Sequence, residues 1–416
     1  MLQSLLGPLQ VCTKSSMWLL LRGSALAKRG AKILRWECDT LLAREMAEYS
    51  EAPDFLNFCV ENAGRFAKRD WLASLTLLTL RKRFHTSLPQ FQTYNNLILG
   101  RVEKDFPESI HLLLHRYGVM CYAPAVWRLL PVMTARVPCM TPKQIALCAW
   151  SLGRTLVHED QAWTALGGAV SAQTGQFALS DLAMFSWGLA AVDRAAPAEI
   201  LAVKQAARQK LMGQHLQDVS SHNLCMLLKA ISKLTPGDKR FLEWLLLVIL
   251  EGMEGKTLAF AAQGITSIWS SLALLKWCPE GQPLEVLCEE SRQLRLDHTF
   301  NQDMAAELAR ALLILDVKDP RPEYQIADYV ARRGLSLRSD TLLTLAEFFA
   351  LRRVDHDFAW KRLGVRAQQR GVDLSLPEID RLVAAFRRAG RGNQRIFGMM
   401  SLFLRLREDQ AKYGAA

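Results

Sequence analysis

Four arginines, Arg387, Arg388, Arg391 and Arg395, crowd into the stretch "RRAGRGNQR" near the end of the chain. A planar guanidinium matches the oxygens of a phosphate, so several in reach of one another suit a nucleic-acid backbone. The glycines between them lack the GxxxxGK[ST] spacing that cradles a nucleotide, which leaves a turn between two basic arms. Arg81, Lys82 and Arg83 form a second basic patch. Arg154 and Lys233 stand at equivalent places in two similar segments and suggest a common basic groove, although the next equivalent residue, Leu274, is apolar.

Other reactive residue types carry less. His111 and His115 in "HLLLH" have a spacing that can chelate zinc, but no adjacent cysteine or acid pair completes a tetrahedron. Asp355, His356 and Asp357 precede an apolar segment and read as a cap for a helix beginning near Phe358. The nine cysteines are scattered without a CxxC pair, as expected of reduced thiols used as small core residues. Spacing assigns no nucleophile–base pair, and neither a cofactor nor a catalytic site is expected.

What must position the arginines is a helix written many times. "MTPKQIALCAWSLGRT" begins at Met140 and "ALSDLAMFSWGLAAV" at Ala178, with Trp150 and Trp187 at the same place in each. The apolar pair Ile145/Leu152 recurs as Leu182/Leu189, Leu224/Ile231, Ile265/Leu272, Ala305/Leu312, Leu342/Phe349 and Ile379/Phe386. First anchors are 37, 42, 41, 40, 37 and 37 residues apart, and Ile110/Tyr117 and Ala73/Leu80 fit more loosely upstream. Three residues after each first anchor stands another buried-type residue, from Cys148 and Phe185 to Leu382, which completes one helical face. Six residues after it the side chain is small in six of seven copies, so a neighbouring helix can come close. Between copies lie second helices that start near prolines and several of which stop at glycine: Gly175, Gly213, Gly334 and Gly371. The pattern predicts an all-α chain, an α-solenoid of helix–turn–helix repeats of about 38 residues.

The two tryptophan segments and "SSHNLCMLLKAISKL" resemble the octotricopeptide-type repeat, whose consensus runs close to "MSPQELANLLWALARLG". They are also similar to heptatricopeptide repeats and to the helical region of FAST-kinase-like proteins. The resemblance covers about residues 70–395, and the tryptophan gives way to Lys229, Arg310 and Glu347 in later copies. It implies an organelle-targeted protein that binds RNA or sits in a mitochondrial ribosome. Only thirty residues follow Phe386, so the strand-rich RAP domain that closes many such proteins is not expected, nor a nuclease activity with it.

Charge agrees with that setting. The net charge of +11 is concentrated at the two ends. Residues 1–36 carry Lys14, Arg22, Lys28, Arg29, Lys32 and Arg35 and no acid, the composition of an organellar targeting segment. Residues 361–395 carry nine basic residues against three acids, and residues 37–360 amount to only −2. No apolar run is long enough for a membrane span, and "FLEWLLLVIL" from Phe241 reads as a buried helix. The expected organisation is a targeting segment over 1–36, a repeat array over 37–395, clearest over 140–390, and a basic capping helix and tail over 396–416. The expected function is RNA binding in the mitochondrial matrix, with a plastid less favoured. The protein would be a ribosome component or a factor that stabilises rRNA or a transcript, amid other subunits of a ribonucleoprotein. The alternative is a protein–protein scaffold in another large mitochondrial complex without RNA contact.

Overall fold

Local capping chemistry sets where the helices begin. The Thr141 hydroxyl accepts from the Gln144 amide at 3.4 Å, and the Gln144 side chain accepts from the Thr141 N–H at 2.9 Å. This reciprocal pair satisfies two amides that the helix itself leaves without partners. Pro142 follows at the first helical position, where a missing N–H costs nothing. Glu378 likewise accepts from the Ser375 amide at 2.8 Å, and these bonds hold its carboxyl below the usual range.

The computed structural model describes residues 40–79, 86–105, 107–194, 196–213, 215–294, 300–392 and 394–413. Among the described residues all regular structure is helical. The chain divides into two units, Met1–Ala207 and Arg208–Ala416. The first holds α1 (Leu41–Glu48), α2 (Ala52–Glu61), α3 (Lys68–Thr79), α4 (Pro89–Asp105) and α5 (Ile110–Val119). It continues with α6 (Ala123–Arg136), α7 (Pro142–Arg154), α8 (Asp160–Gln173) and α9 (Leu179–Ala191), and the boundary falls within α10 (Pro197–Met212). The second holds α11 (Ser221–Leu234), α12 (Lys239–Glu254), α13 (Ala262–Leu275), α14 (Gln282–Arg292) and α15 (Gln302–Ile314). It ends with α16 (Pro320–Arg333), α17 (Ser339–Arg352), α18 (Asp357–Arg370), α19 (Leu376–Arg388) and α20 (Gln394–Tyr413).

Within each unit the odd-numbered helices pack side by side in one layer, and the even-numbered helices form a second layer against it. This neighbour-to-neighbour packing is solenoid-like. All seven anchor pairs from Ile145/Leu152 to Ile379/Phe386 are buried, as is the third residue of each stripe. The stripes therefore face the seam between layers and neighbours. Among the described residues no helix is long and apolar enough to cross a membrane, and the leucine-rich stretch from Phe241 lies in α12 with one face buried. Cys59, Cys148, Cys225 and Cys288 are buried free thiols, and burial pushes the Cys225 thiol up to about 12.

Seven of the odd helices end in one backbone solution, whereas α11 cannot, because Pro236 stands where the donor amide would be. The amide twelve residues after the first anchor donates to the carbonyl of the second anchor. Tyr122 thus bonds Tyr117, Val157 bonds Leu152, Arg194 bonds Leu189 and Val354 bonds Phe349, each at 3.0 Å. Trp277 to Leu272 and Val317 to Leu312 follow at 3.2 Å, and Arg391 to Phe386 at 2.9 Å. This closure needs the preceding residue in the left-handed region. Those residues are Cys121, Leu156, Asp193, Lys276, Asp316, Arg353 and Gly390, with φ between 50° and 62°. Six carry a Cβ, each at a cost of roughly 1–2 kcal/mol that the packed stack offsets.

Glycines stop the second helices as expected, Gly334 after α16 and Gly371 after α18, and both also serve close packing. Gly371 caps α18 with φ −55° and opens a short 3-10 turn after it. A Cβ there would lie 2.1 Å from the Phe403 ring, so the glycine serves close packing of α20. Gly334 behaves alike, with φ −55° and the Arg362 Cβ 2.8 Å from where its own would stand.

Candidate nucleic-acid interface

The outward face of the odd layer in the first unit carries a row of rings. Five residues after their first anchors stand His115 on α5, Trp150 on α7 and Trp187 on α9, all partly exposed. The Trp150 and Trp187 rings stack with centroids 6.0 Å apart and planes 29° apart, and His115 lies 5.1 Å from Trp150. Small residues beneath make this possible. A Cβ on Gly188 would meet the Ala149 carbonyl oxygen at 2.4 Å, and one on Gly153 the Gly188 Cα at 2.6 Å. Helices α7 and α9 therefore touch backbone to backbone, which brings the rings together. Arg154, at the end of α7, is exposed one turn after Trp150 on the same face. Stacked indoles beside a guanidinium offer a base a π surface and a phosphate a donor. The sequence marks both tryptophans as equivalent positions of consecutive copies. It does not assign them to a site, and their shared register was the available signal.

The C-terminal arginines divide into three kinds. Arg387 and Arg388 are exposed on the last turn of α19, and the Arg387 guanidinium lies 5.8 Å over the Phe397 ring of α20. Gly390 and Gly392, with φ 62° and 143°, break the chain between α19 and α20. Arg391 sits in that break, and Asp355 and Asp357 at the start of α18 both hold it as ion-pair partners. Arg391 thus ties two hairpins together and is not presented to solvent in the way that Arg388 is. Arg395 lies in the first turn of α20, but its side chain is outside the described residues, as are Arg81, Lys82 and Arg83 altogether. Lys233 is exposed near the end of α11 in the second unit.

The segment from Asp355 to Asp357 does cap a helix, but through its middle residue. The His356 imidazole Nδ1 accepts from the Ala359 N–H at 3.2 Å. That leaves both carboxylates for Arg391. Another inter-hairpin pair repeats the geometry: Arg194, just after α9, pairs with Asp160, the first residue of α8. Below each of these starts an indole is held alike. Trp163 donates to the Val157 carbonyl at 2.9 Å and Trp360 to the Val354 carbonyl at 3.0 Å.

His111 and His115 are not brought to a third ligand: among the described residues no three His, Cys, Asp or Glu side chains gather. Burial lowers both imidazoles from the usual 6.5 to about 4, with Lys143 and Lys68 adding to the effect at His111 and Arg116 at His115. Below pH 6.5 the unfolded chain takes up protons that the folded unit refuses. Stability is therefore present above that pH and lost as pH falls toward about 4. The thermal midpoint should drop across this window, and less steeply in a His111→Gln/His115→Gln variant. Parallel curves for the two proteins would refute the assignment.

No family model and no curated protein matches this chain.

Proposed function

We propose that the chain is an α-solenoid of repeats of about 38 residues that binds single-stranded RNA in the mitochondrial matrix. The role it fits best is that of a ribosome component or a factor stabilising rRNA or a transcript. The observation that carries the reading is the stacked Trp150–Trp187 pair with Arg154 one turn away. Bases stack on such a surface whatever their identity, while arginines contact the backbone without reading sequence. Arg387 and Arg388 add a second exposed basic point. No catalytic step is assigned.

A Trp150→Ala/Trp187→Ala variant should bind two unrelated single-stranded RNAs at least about tenfold more weakly, since one stacked base contributes about 1–3 kcal/mol. Arg387→Gln/Arg388→Gln should flatten the dependence of affinity on salt by up to about 0.7 per lost contact. Unchanged affinity and slope in both variants would favour the scaffold reading. One observation already speaks for that alternative: Arg194, Arg338, Arg381 and Arg391 are all engaged with carboxylates of neighbouring hairpins, with which a phosphate would have to compete.

The location is tested separately, because residues 1–36 lie outside the described residues. A reporter fused to them should enter mitochondria, given six basic residues and no acid. A fusion that stays in the cytosol, or enters plastids, would overturn the proposed compartment.

A further inference from the structure

In the second unit the odd layer presents a different face. Nine residues after the first anchors stand Leu274 on α13, Ile314 on α15 and Leu351 on α17, three helices packed in succession. Their exposures are 48%, 59% and 51%, large for apolar side chains in one register. On α19 the same register is the exposed Arg388. We propose that this stripe docks an acidic amphipathic helix of a partner protein, laid across the odd helices.

Charge selects the partner. The acids on this face are already engaged: Glu307 pairs with Lys229, and Glu347 takes both Nε and an Nη of Arg381 at 2.8 and 2.9 Å. Asp316, at the end of α15, is engaged by Arg352 at 3.1 Å and Lys318 at 3.5 Å. Exposed around the stripe are the cations Arg310, Lys276, Arg353 and Arg388. An apolar row inside a cationic rim is complementary to apolar residues flanked by acids. The chain's own residues 1–36 are excluded as the occupant by their six basic residues and lack of acid. Bases prefer aromatic platforms, and this row has none.

Geometry sets the spacing. Packed helices lie about 8–10 Å apart, and a helix rises 1.5 Å per residue, so a crossing helix meets successive odd helices about every five to seven residues, of which the heptad returns the same face. The partner is thus a helix of about 18 residues with apolar side chains at heptad spacing and acids at its ends.

The test titrates the full-length protein with a fluorescent peptide of that design, about 18 residues long, with leucines at heptad spacing and glutamates at both ends. A second peptide has lysines in place of the glutamates, and phosphatidylserine vesicles form a third arm. The glutamate peptide should bind at least about tenfold more tightly than the lysine peptide. Leu274→Ser/Ile314→Ser/Leu351→Ser should lose that binding while keeping helical circular dichroism. Ile314→Ser alone should weaken it and Ile314→Leu should retain it, which keeps the result readable if the triple variant unfolds. Absence of saturable binding, equal affinity for the two peptides, or indifference to Ile314→Ser would each overturn the proposal. Vesicle binding that depends on Ile314 would overturn it in favour of a membrane surface. RNA affinity at Trp150 and Trp187 is read independently, so failure of one assignment leaves the other standing.

Discussion

Leu189→Ala should destabilise the first unit by about 2–5 kcal/mol, the cost of lost apolar burial plus the cavity left behind. Leu189 is the second anchor of α9, only 2% exposed, and its carbonyl receives the Arg194 amide that closes the helix end. The side chain faces the seam between layers, where the close contact of α7 and α9 leaves little room for collapse into a void. Thermal or urea unfolding of wild type and variant measures the difference. A near-unchanged midpoint would mean that the stripe assigned to the interior is not the one that holds the stack.

Gly188→Ala, one residue earlier, should destabilise for the opposite reason. Its new Cβ would stand 2.4 Å from the Ala149 carbonyl oxygen, and backbone cannot swing aside as a flexible side chain can. Overpacking of this kind costs about 1–3 kcal/mol, and here α9 must move away from α7. The displacement has a spectroscopic mark that a cavity lacks. It should pull the Trp187 ring off Trp150 and weaken the far-ultraviolet exciton signal of the indole pair. On the proposed reading it should also reduce RNA affinity, although Trp150, Trp187 and Arg154 are unchanged. A variant with normal stability and an intact exciton signal would show that the two backbones are not in contact.

The inter-hairpin ion pairs bear on function more than on stability. Exposed pairs such as Arg381–Glu347 or Arg391–Asp357 contribute at most about 1 kcal/mol each. They do, however, set which arginines must give up a carboxylate before meeting an anion. A count of basic residues over 361–395 treats Arg388 and Arg391 alike, whereas the fold gives one to solvent and the other to two aspartates.

Helical class, helix starts and the buried stripe were legible in the residues, because each depends on neighbours within one or two turns. Thr141 with Gln144 makes its own cap, and Ile145, Cys148 and Leu152 fall on one face by helical geometry alone. The exposed fates of Arg387 and Arg388 follow as simply from their place beyond the last anchor. What lay out of reach depends on residues a whole hairpin away. Arg391 meets Asp357 across 34 positions, Trp150 meets Trp187 across 37, and Glu307 meets Lys229 across 78. Gly371 reads as a helix stop, and it is one, but nothing local to it reveals the Phe403 ring that leaves no room for a side chain there. No feature of the residue pattern marks the division within α10 either. The sequence alone thus determined the helices and their inward faces, since those follow from the 3.6-residue period and capping chemistry. Only the tertiary structure decided which outward-facing residues stack, pair or stand exposed, because packing of neighbouring hairpins is what brings their partners within reach.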